Sequence, residues 1–451
     1  MKIASPALFF SFFCMVAQVQ ANSISLEKLT NDVTELASDE MSGRKTATSG
    51  ANKAAEYIAK RFHEIGLDNF DGLKSFEQKF KLYQVFPKTV NATLNGTTID
   101  QAKIILMTNH ESLSWKKTSS VKQLHIGPID SFRDEVGKIN QSPDNYLVTV
   151  DPSHQEIFSR YQKFLSRGLN QFQINSGPSA VFILSNSAVK NSYSIRAQMA
   201  IEHQTLTNVV GVLPGRKLAD EFVLFSAHYD HLGVHENNAD THAHSSSSEK
   251  PKHEDNIYNG ADDDASGTSA VINLAEYFAR KGNNERTLIF VAFTAEEIGG
   301  FGSRYFSEQL PPEKIIAMLN IEMIGKPSKF GKGALWMTGF ERSSLAQILN
   351  KNLKRLNKEI FQDPYPEQQL FYRSDNATLA RLGVPAHSFS SSQIDKDQHY
   401  HQPSDEIGTL DLESMHQVIS TLAEAVESLI DGSDKPDRVD TSKVRPKGNY
   451  F

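Results

Sequence analysis

Asp262, Asp263 and Asp264 follow one another in a Gly- and Ser-flanked turn, Tyr258-Asn-Gly-Ala-Asp-Asp-Asp-Ala-Ser266. Three adjacent carboxylates repel one another unless a positive charge sits among them, and a metal ion is the charge that suits them. The competing reading is that they cap the helix announced by Ala270, Val271, Leu274, Ala275 and Phe278, where acidic side chains suit the macrodipole. The flanks decide between the two. Upstream, the apolar run Phe222–Ala227 ends in His228-Tyr-Asp230-His231, and downstream Thr287–Thr294 ends, one residue on, in Glu296-Glu297. Two strands of buried type each deliver metal-capable side chains at their C-terminal ends, where open α/β sheets hold their ligands.

The chain has 451 residues, 39% of them hydrophobic, which is room for one large domain with an insert or for two domains. A formal net charge of -7 offers no basic field for nucleic acid. Met1 to Ala21 read as a secretory signal, with Lys2 near the start, an apolar stretch from Ala7 to Ala17, and Val19-Gln20-Ala21 as a small-residue cleavage site. The apolar stretch is shorter than the roughly 20 residues a spanning helix needs. The expectation is an exported protein, periplasmic or secreted, with no membrane span in the mature chain. Its one cysteine, Cys14, falls inside the signal, so any metal must be held by His and carboxylate.

Stepping outward to the elements, Ser25–Ala37 and Gly50–Leu67 show helical spacing, with Gly66 placed to stop the second helix. From 101 to 199 the pattern shifts to short strand-like runs with one helical piece near Gln155 to Leu165, which reads as an inserted, mainly β accessory domain. Beyond it strands are expected at 222–227, 287–294, 315–323, 333–338 and 385–390. Helices are expected at 266–280, 302–310, 343–357, 375–382 and 411–430. That alternation predicts a three-layer α/β/α sandwich with a mostly parallel central sheet, built from 22–100 and 200–432. The charged, aperiodic segment 433–451 reads as a mobile tail, and the His- and Ser-rich stretch 235–255 as a solvated loop.

Five stretches together resemble the site motifs of the M28 family of dinuclear zinc peptidases, mostly aminopeptidases. In order they are Ala227-His228-Tyr-Asp230-His231, Gly260-Ala-Asp-Asp263-Asp-Ala-Ser-Gly267, Ala295-Glu296-Glu297-Ile-Gly-Gly-Phe-Gly-Ser303, Leu319-Asn-Ile-Glu322-Met-Ile-Gly325 and Tyr400-His401-Gln-Pro-Ser-Asp405. The segment Ser38-Asp-Glu-Met-Ser-Gly-Arg44 with the helix after it also resembles that family's N-terminal region, and the insert sits where many members carry a protease-associated domain. The resemblance implies the zinc exopeptidase fold and two Zn2+ ions bridged by Asp263, with His228 and Glu322 completing one site and Glu297 and His401 the other. It also implies a cis peptide bond at Asp263-Asp264. Glu322 stands where the family most often has Asp, and its extra methylene carries the carboxylate roughly an ångström further.

Nitrogen and oxygen ligands suit Zn(II), and two close ions need a shared anion between them. Asp230 is placed to accept the second imidazole N–H of His228 and fix its tautomer. Glu296, beside a ligand without being one, is the expected general base, and Tyr400 an expected donor to the oxyanion. Arg373, Ser374 and Asp375 lie where family members line the substrate pocket, although a helix cap at Ser374 or Asp375 is the better single explanation of those two. His231, His387 and His399 read as surface histidines. The expected function is aminopeptidase hydrolysis of peptides. Carboxypeptidase or dipeptidase hydrolysis, glutaminyl cyclisation and a non-catalytic receptor-like protein are the alternatives.

Overall fold

The computed structural model describes residues 23–186, 192–235, 255–443 and 448. The signal segment 1–21, nearly all of the His-rich stretch 235–255 and the end of the tail lie outside the described residues. The chain divides into two compact units, one formed by the residues up to Lys79 with Leu206–Val444, the other built on Phe80–Thr205. The expected insert, 101–199, lies inside the second unit.

In the first unit a large sheet runs in the order Ile360–Gln362, Leu335–Met337, Ala386–Ser390, Ile315–Ile321, Leu218–His228, Arg286–Phe293, then the C-terminal part of Tyr193–Leu213. All eight residues of Arg286–Phe293 and all seven of Ile315–Ile321 are buried, as unbroken apolar runs must be when both faces of a strand are covered. The sheet is mixed, with four of the six pairings along this order parallel. Ala386–Ser390, Ile315–Ile321, Leu218–His228 and Arg286–Phe293 run parallel, while Leu335–Met337 and Val209–Leu213 pair antiparallel with their neighbours. Strand direction depends on the connections, which apolar runs do not encode.

Side-chain alternation sends successive residues into two cores. Val223, Phe225, Leu288, Phe290, Ala317 and Leu319 join one, and Leu224, Ile289, Val291, Phe293 and Met318 the other. The helices Leu26–Leu36, Ser49–Ile65, Gly267–Lys281, Leu345–Leu353 and Leu412–Ala425 supply the first core, and Phe306, Leu379 and Ala380 the second. Ser25 caps Leu26–Leu36 by accepting from the Lys28 N–H, and Gly66 at φ 82 ends Ser49–Ile65, as its position in the sequence predicts. The expected helix 411–430 is two helices, Leu412–Ala425 and Glu427–Ile430. Among the described residues no helix is long and apolar enough to cross a membrane.

The second unit combines its strands with two α-helices. Its four-stranded sheet, Ile104–Met107, Ala180–Leu184, Tyr146–Val150 and Lys122–Ile126, packs one face on the helices Phe132–Gln141 and Gln155–Leu165. The other face meets Leu113, Trp115, Tyr193 and Ile195. Phe132–Gln141 escaped the sequence reading because its apolar contacts are only Phe132, Val136 and Ile139, with polar residues and Gly137 between them. The segment read as a mobile tail is held to the first unit as far as it is described. Val439 is buried, and Arg438 donates to the carbonyls of Ile315 and Pro312.

Candidate metal centre

Every candidate ligand lies at or just past the C-terminal end of a parallel strand or in the turn before a buried helix. His228 ends Leu218–His228, Glu297 follows Arg286–Phe293, Glu322 follows Ile315–Ile321, and His401 lies beyond Ala386–Ser390. Asp263 sits in the turn Ala261–Ser266 that leads into Gly267–Lys281, and its peptide bond to Asp264 is cis. The three aspartates divide their work. Asp262 Oδ1 accepts the Gly325 N–H at 2.7 Å, and Lys326 Nζ stands 3.3 Å from Oδ2. Asp264 Oδ1 accepts from the N–H groups of Gly267 and Met323, each at 3.0 Å. Asp405, at the end of the last motif, accepts from the N–H groups of Asp262 and Asp263. Only Asp263 turns both carboxylate oxygens toward histidines.

Asp263 Oδ1 is 3.2 Å from His228 Nε2, and Asp263 Oδ2 is 3.1 Å from His401 Nε2. Glu322 Oε1 completes the first group at 3.3 Å from His228 Nε2, and Glu297 Oε2 the second at 3.5 Å from His401 Nε2. His228 Nδ1 is 3.0 Å from the Asp230 carbonyl, which only accepts, so Nδ1 carries a hydrogen and Nε2 is the ring atom turned to the two carboxylates. One ring nitrogen and two carboxylate oxygens thus converge on a point that suits a cation. Tetrahedral Zn(II) with bonds of about 2.0 to 2.1 Å has donor-to-donor edges of about 3.3 Å, and all four separations lie close to that value. The residues therefore fit zinc. His228-Asp264-Glu322 and His231-Asp263-Glu297 also bring ligand atoms within 4.8 Å of one another. Asp264 Oδ1 is taken by two backbone N–H groups, and of the three aspartates Asp263 alone faces both His228 and His401.

The electrostatics point the same way. Burial opposes charge on His228, yet Glu322 and Asp263 outweigh it and hold the imidazole well above its usual range. Burial likewise opposes charge on Asp263, and the hydrogen bonds from His228 and His401 overcome it and hold this carboxyl well below its own.

The sequence profile described as Peptidase family M28 matches residues 208–426. Residues 208–426 belong to peptidase family M28. Leucine aminopeptidase 1 of Neurospora crassa is 30% identical over 179 residues, 37% of this chain and 44% of that protein. A probable zinc metalloprotease of Pyrenophora teres f. teres is 30% identical over 122 residues, 27% of this chain and 23% of that protein. The chain thus matches less than half the length of these curated relatives. In fold it is similar to an aminopeptidase from Aneurinibacillus sp. strain AM-1, with TM-score 0.52 and 17% identity over 95% of this chain and 97% of that one. It is similar too to BSAP, a zinc aminopeptidase from Bacillus subtilis, with TM-score 0.52 and 14% identity over 94% of this chain and all of that one.

Around the ligands, the M28 domain departs from several expectations. The Asp230 carboxylate does not take the His228 N–H, whose Nδ1 is 3.8 Å from Oδ1, because the nearer Asp230 carbonyl takes it. Instead Asp230 Oδ1 accepts the Glu296 N–H at 3.1 Å and Oδ2 the Thr46 hydroxyl at 2.7 Å, so this side chain holds the backbone of Glu296. Ser374 caps no helix. Its hydroxyl donates to Glu322 Oε2, with Asn320 Nδ2 at 2.7 Å from Ser374 Oγ, so the longer carboxylate at 322 is braced on its far side. Asp375 is buried and makes no side-chain cap bond, and burial pushes its carboxyl up to about 7. Arg373 is exposed, and Tyr400 stacks on His401 at 3.9 Å between ring centroids.

His231 and His387 are not surface histidines. His231 is buried against Glu297, and His387 lies in the interior between the Thr338 carbonyl and Ser343 Oγ. Arg44, which ends the segment resembling the family's N-terminal region, is wholly buried. Its guanidinium donates to the carbonyls of Tyr229, Leu36, Asn259 and Gly260 at 2.7, 2.6, 2.5 and 2.9 Å. The signal available in the sequence was position: His231 closes the first motif and Arg44 the N-terminal one.

Proposed function

We propose that the M28 domain is a dinuclear zinc exopeptidase that removes N-terminal residues from peptides. The observation that carries this reading is Asp263, whose two oxygens face two separate His and Glu pairs at spacings suited to tetrahedral zinc. His228 and Glu322 would hold one ion, His401 and Glu297 the other, with Asp263 shared. Zinc bound there supplies Lewis acidity that acidifies a water and polarises a scissile carbonyl.

The remaining work belongs to the chain. Burial, with the carboxylates of Glu322, Asp375 and Glu297 nearby, raises the proton affinity of Glu296 well above that of an ordinary glutamate. A carboxylate of that kind takes the proton of the attacking water and returns it to the leaving amine. Asp230, through the Glu296 N–H, keeps this group in place, and the Tyr400 hydroxyl serves as donor to the oxyanion. The carboxylates gathered there, Asp375 fully buried and Glu296 and Glu322 partly so, favour a cationic substrate end, which is a free α-ammonium, and matched relatives carry the name aminopeptidase. Arg373 is the candidate for the peptide's other charges. The signal-like residues Met1 to Ala21 make export part of the same reading.

The test is mass spectrometry of a mixed peptide library incubated with the purified protein, with zinc and with chelator. Chelator-sensitive loss of single N-terminal residues is the expected result. Loss from the C-terminus would transfer the reading to a carboxypeptidase, and intact peptides in the presence of bound zinc would end it.

A further inference from the structure

The peptidase reading leaves His231 without a part. Its side chain is fully buried, and its Nδ1 stands 2.7 Å from Glu297 Oε1 and 3.9 Å from Asp263 Oδ2. A bare ring nitrogen facing a carboxylate at 2.7 Å would be repelled, so Nδ1 carries hydrogen and donates to Glu297. The ring is fixed from two further sides. Its backbone N–H donates to the Arg44 carbonyl at 3.2 Å, and Gly260 leaves room for it, since a Cβ there would stand 2.5 Å from His231 Cδ2.

The two halves of the ligand cluster are thus braced by different groups. On one side the Asp230 carbonyl orients His228, and Ser374 with Asn320 braces Glu322. On the other, the brace on Glu297 is His231, and it engages Oε1 while Oε2 faces His401 Nε2. A carboxylate with one oxygen pinned presents the other in a single direction, which lowers the entropy lost when it binds a metal ion.

We propose that His231 is a positioning residue for the Glu297 and His401 half of the zinc site, acting through its Nδ1–H on Glu297 Oε1. The proposal rests on the two-zinc reading above. It makes an asymmetric prediction: loss of the donor weakens one zinc and spares the other. It also separates His231 from a direct ligand, because a zinc ligand would act through an imidazole nitrogen, for which an amide oxygen is a poor substitute.

The experiment is zinc titration of the metal-stripped full chain by calorimetry, with a chromophoric chelator as competitor, for wild type, His231→Leu and His231→Asn. Asn places an N–H where Nδ1 stood, and Leu places none. In His231→Leu one binding step weakens about 10- to 100-fold while the other stays at its wild-type value. In His231→Asn the affected step returns close to wild type. Unchanged titration of His231→Leu overturns the proposal, and so does a His231→Asn as weak as His231→Leu. Should the leucine variant not fold, His231→Gln replaces it, since its amide reaches the Nε2 position and is expected to leave Glu297 unheld. A wild-type chain that takes up a single zinc would end the two-ion reading, and His231 is then judged on whether that one step weakens.

Discussion

Glu296 and Glu297 are neighbours in the chain with different surroundings: Glu297 faces His401 and His231 as a ligand candidate, while Glu296, the proposed proton acceptor, is held by its backbone N–H to Asp230. Glu296→Gln preserves shape and removes the proton acceptor, so it is expected to keep zinc affinity and lose about 100- to 10,000-fold in turnover. Zinc titration beside a peptide assay checks both halves of that statement. His387 offers a residue-scale test of stability away from the ligands. Burial depresses its imidazole to about 4 from an ordinary 6.5, so the fold holds the neutral ring. Its contribution is complete above pH 6.5 and disappears as pH falls from 6.5 toward 4, a change of about 3 kcal/mol. His387→Gln, whose amide can serve the same Thr338 and Ser343 partners, is expected to lose less stability than wild type across that window in urea unfolding.

At the scale of elements, the centre is an assembly of strand ends and one turn, and Arg44 ties several of them together. Its donors reach Tyr229, between His228 and Asp230, and also Asn259 and Gly260, which open the aspartate turn. Burial lowers this guanidinium to about 10, so it remains charged at neutral pH, with Asp263, Asp405, Asp230 and Asp264 favouring that charge. Lysine keeps the charge but lacks the fork of donors. Arg44→Lys is expected to lose about 3 kcal/mol of stability and to bind zinc more weakly. Arg286 is the natural control, a buried arginine at the opposite end of its strand that donates to Leu429 and Asp434. Arg286→Lys should lower the melting temperature and leave zinc affinity alone. Equal losses of zinc affinity in both variants would show that Arg44 has no special link to the centre.

For the whole molecule, the site gathers segments from Arg44 to Asp405 around the C-terminal ends of the central strands, and a metal that binds only the folded chain stabilises all of them at once. Free zinc at about 1,000 times its dissociation constant contributes about 4 kcal/mol. The metal-stripped chain should therefore melt at a lower temperature than the zinc-loaded one, and calorimetry with and without chelator reads the difference. Melting unchanged by zinc would mean that the ligand cluster binds no zinc at these concentrations.

How much of this the sequence determined follows from how local each cause is. Strands that are apolar over five to eight residues, helix stops such as Gly66, and five short motifs are contained within short stretches, and they were legible together with the candidate ligands. The choice of Asp263 among three aspartates came from resemblance, and its physical cause lies mostly in distant segments: Gly325 and Lys326 occupy the Asp262 carboxylate, and Met323 with Gly267 occupies Asp264 Oδ1. The same holds for His231 and Ser374, whose partners Glu297 and Glu322 lie 66 and 52 positions away. Strand direction, the helix Phe132–Gln141 and the anchoring of Arg438 also depend on contacts between remote segments. Burial and hydrogen-bond geometry are properties of the packed chain, and residue type alone leaves a histidine free to be a ligand, a brace or a core residue until that packing assigns it.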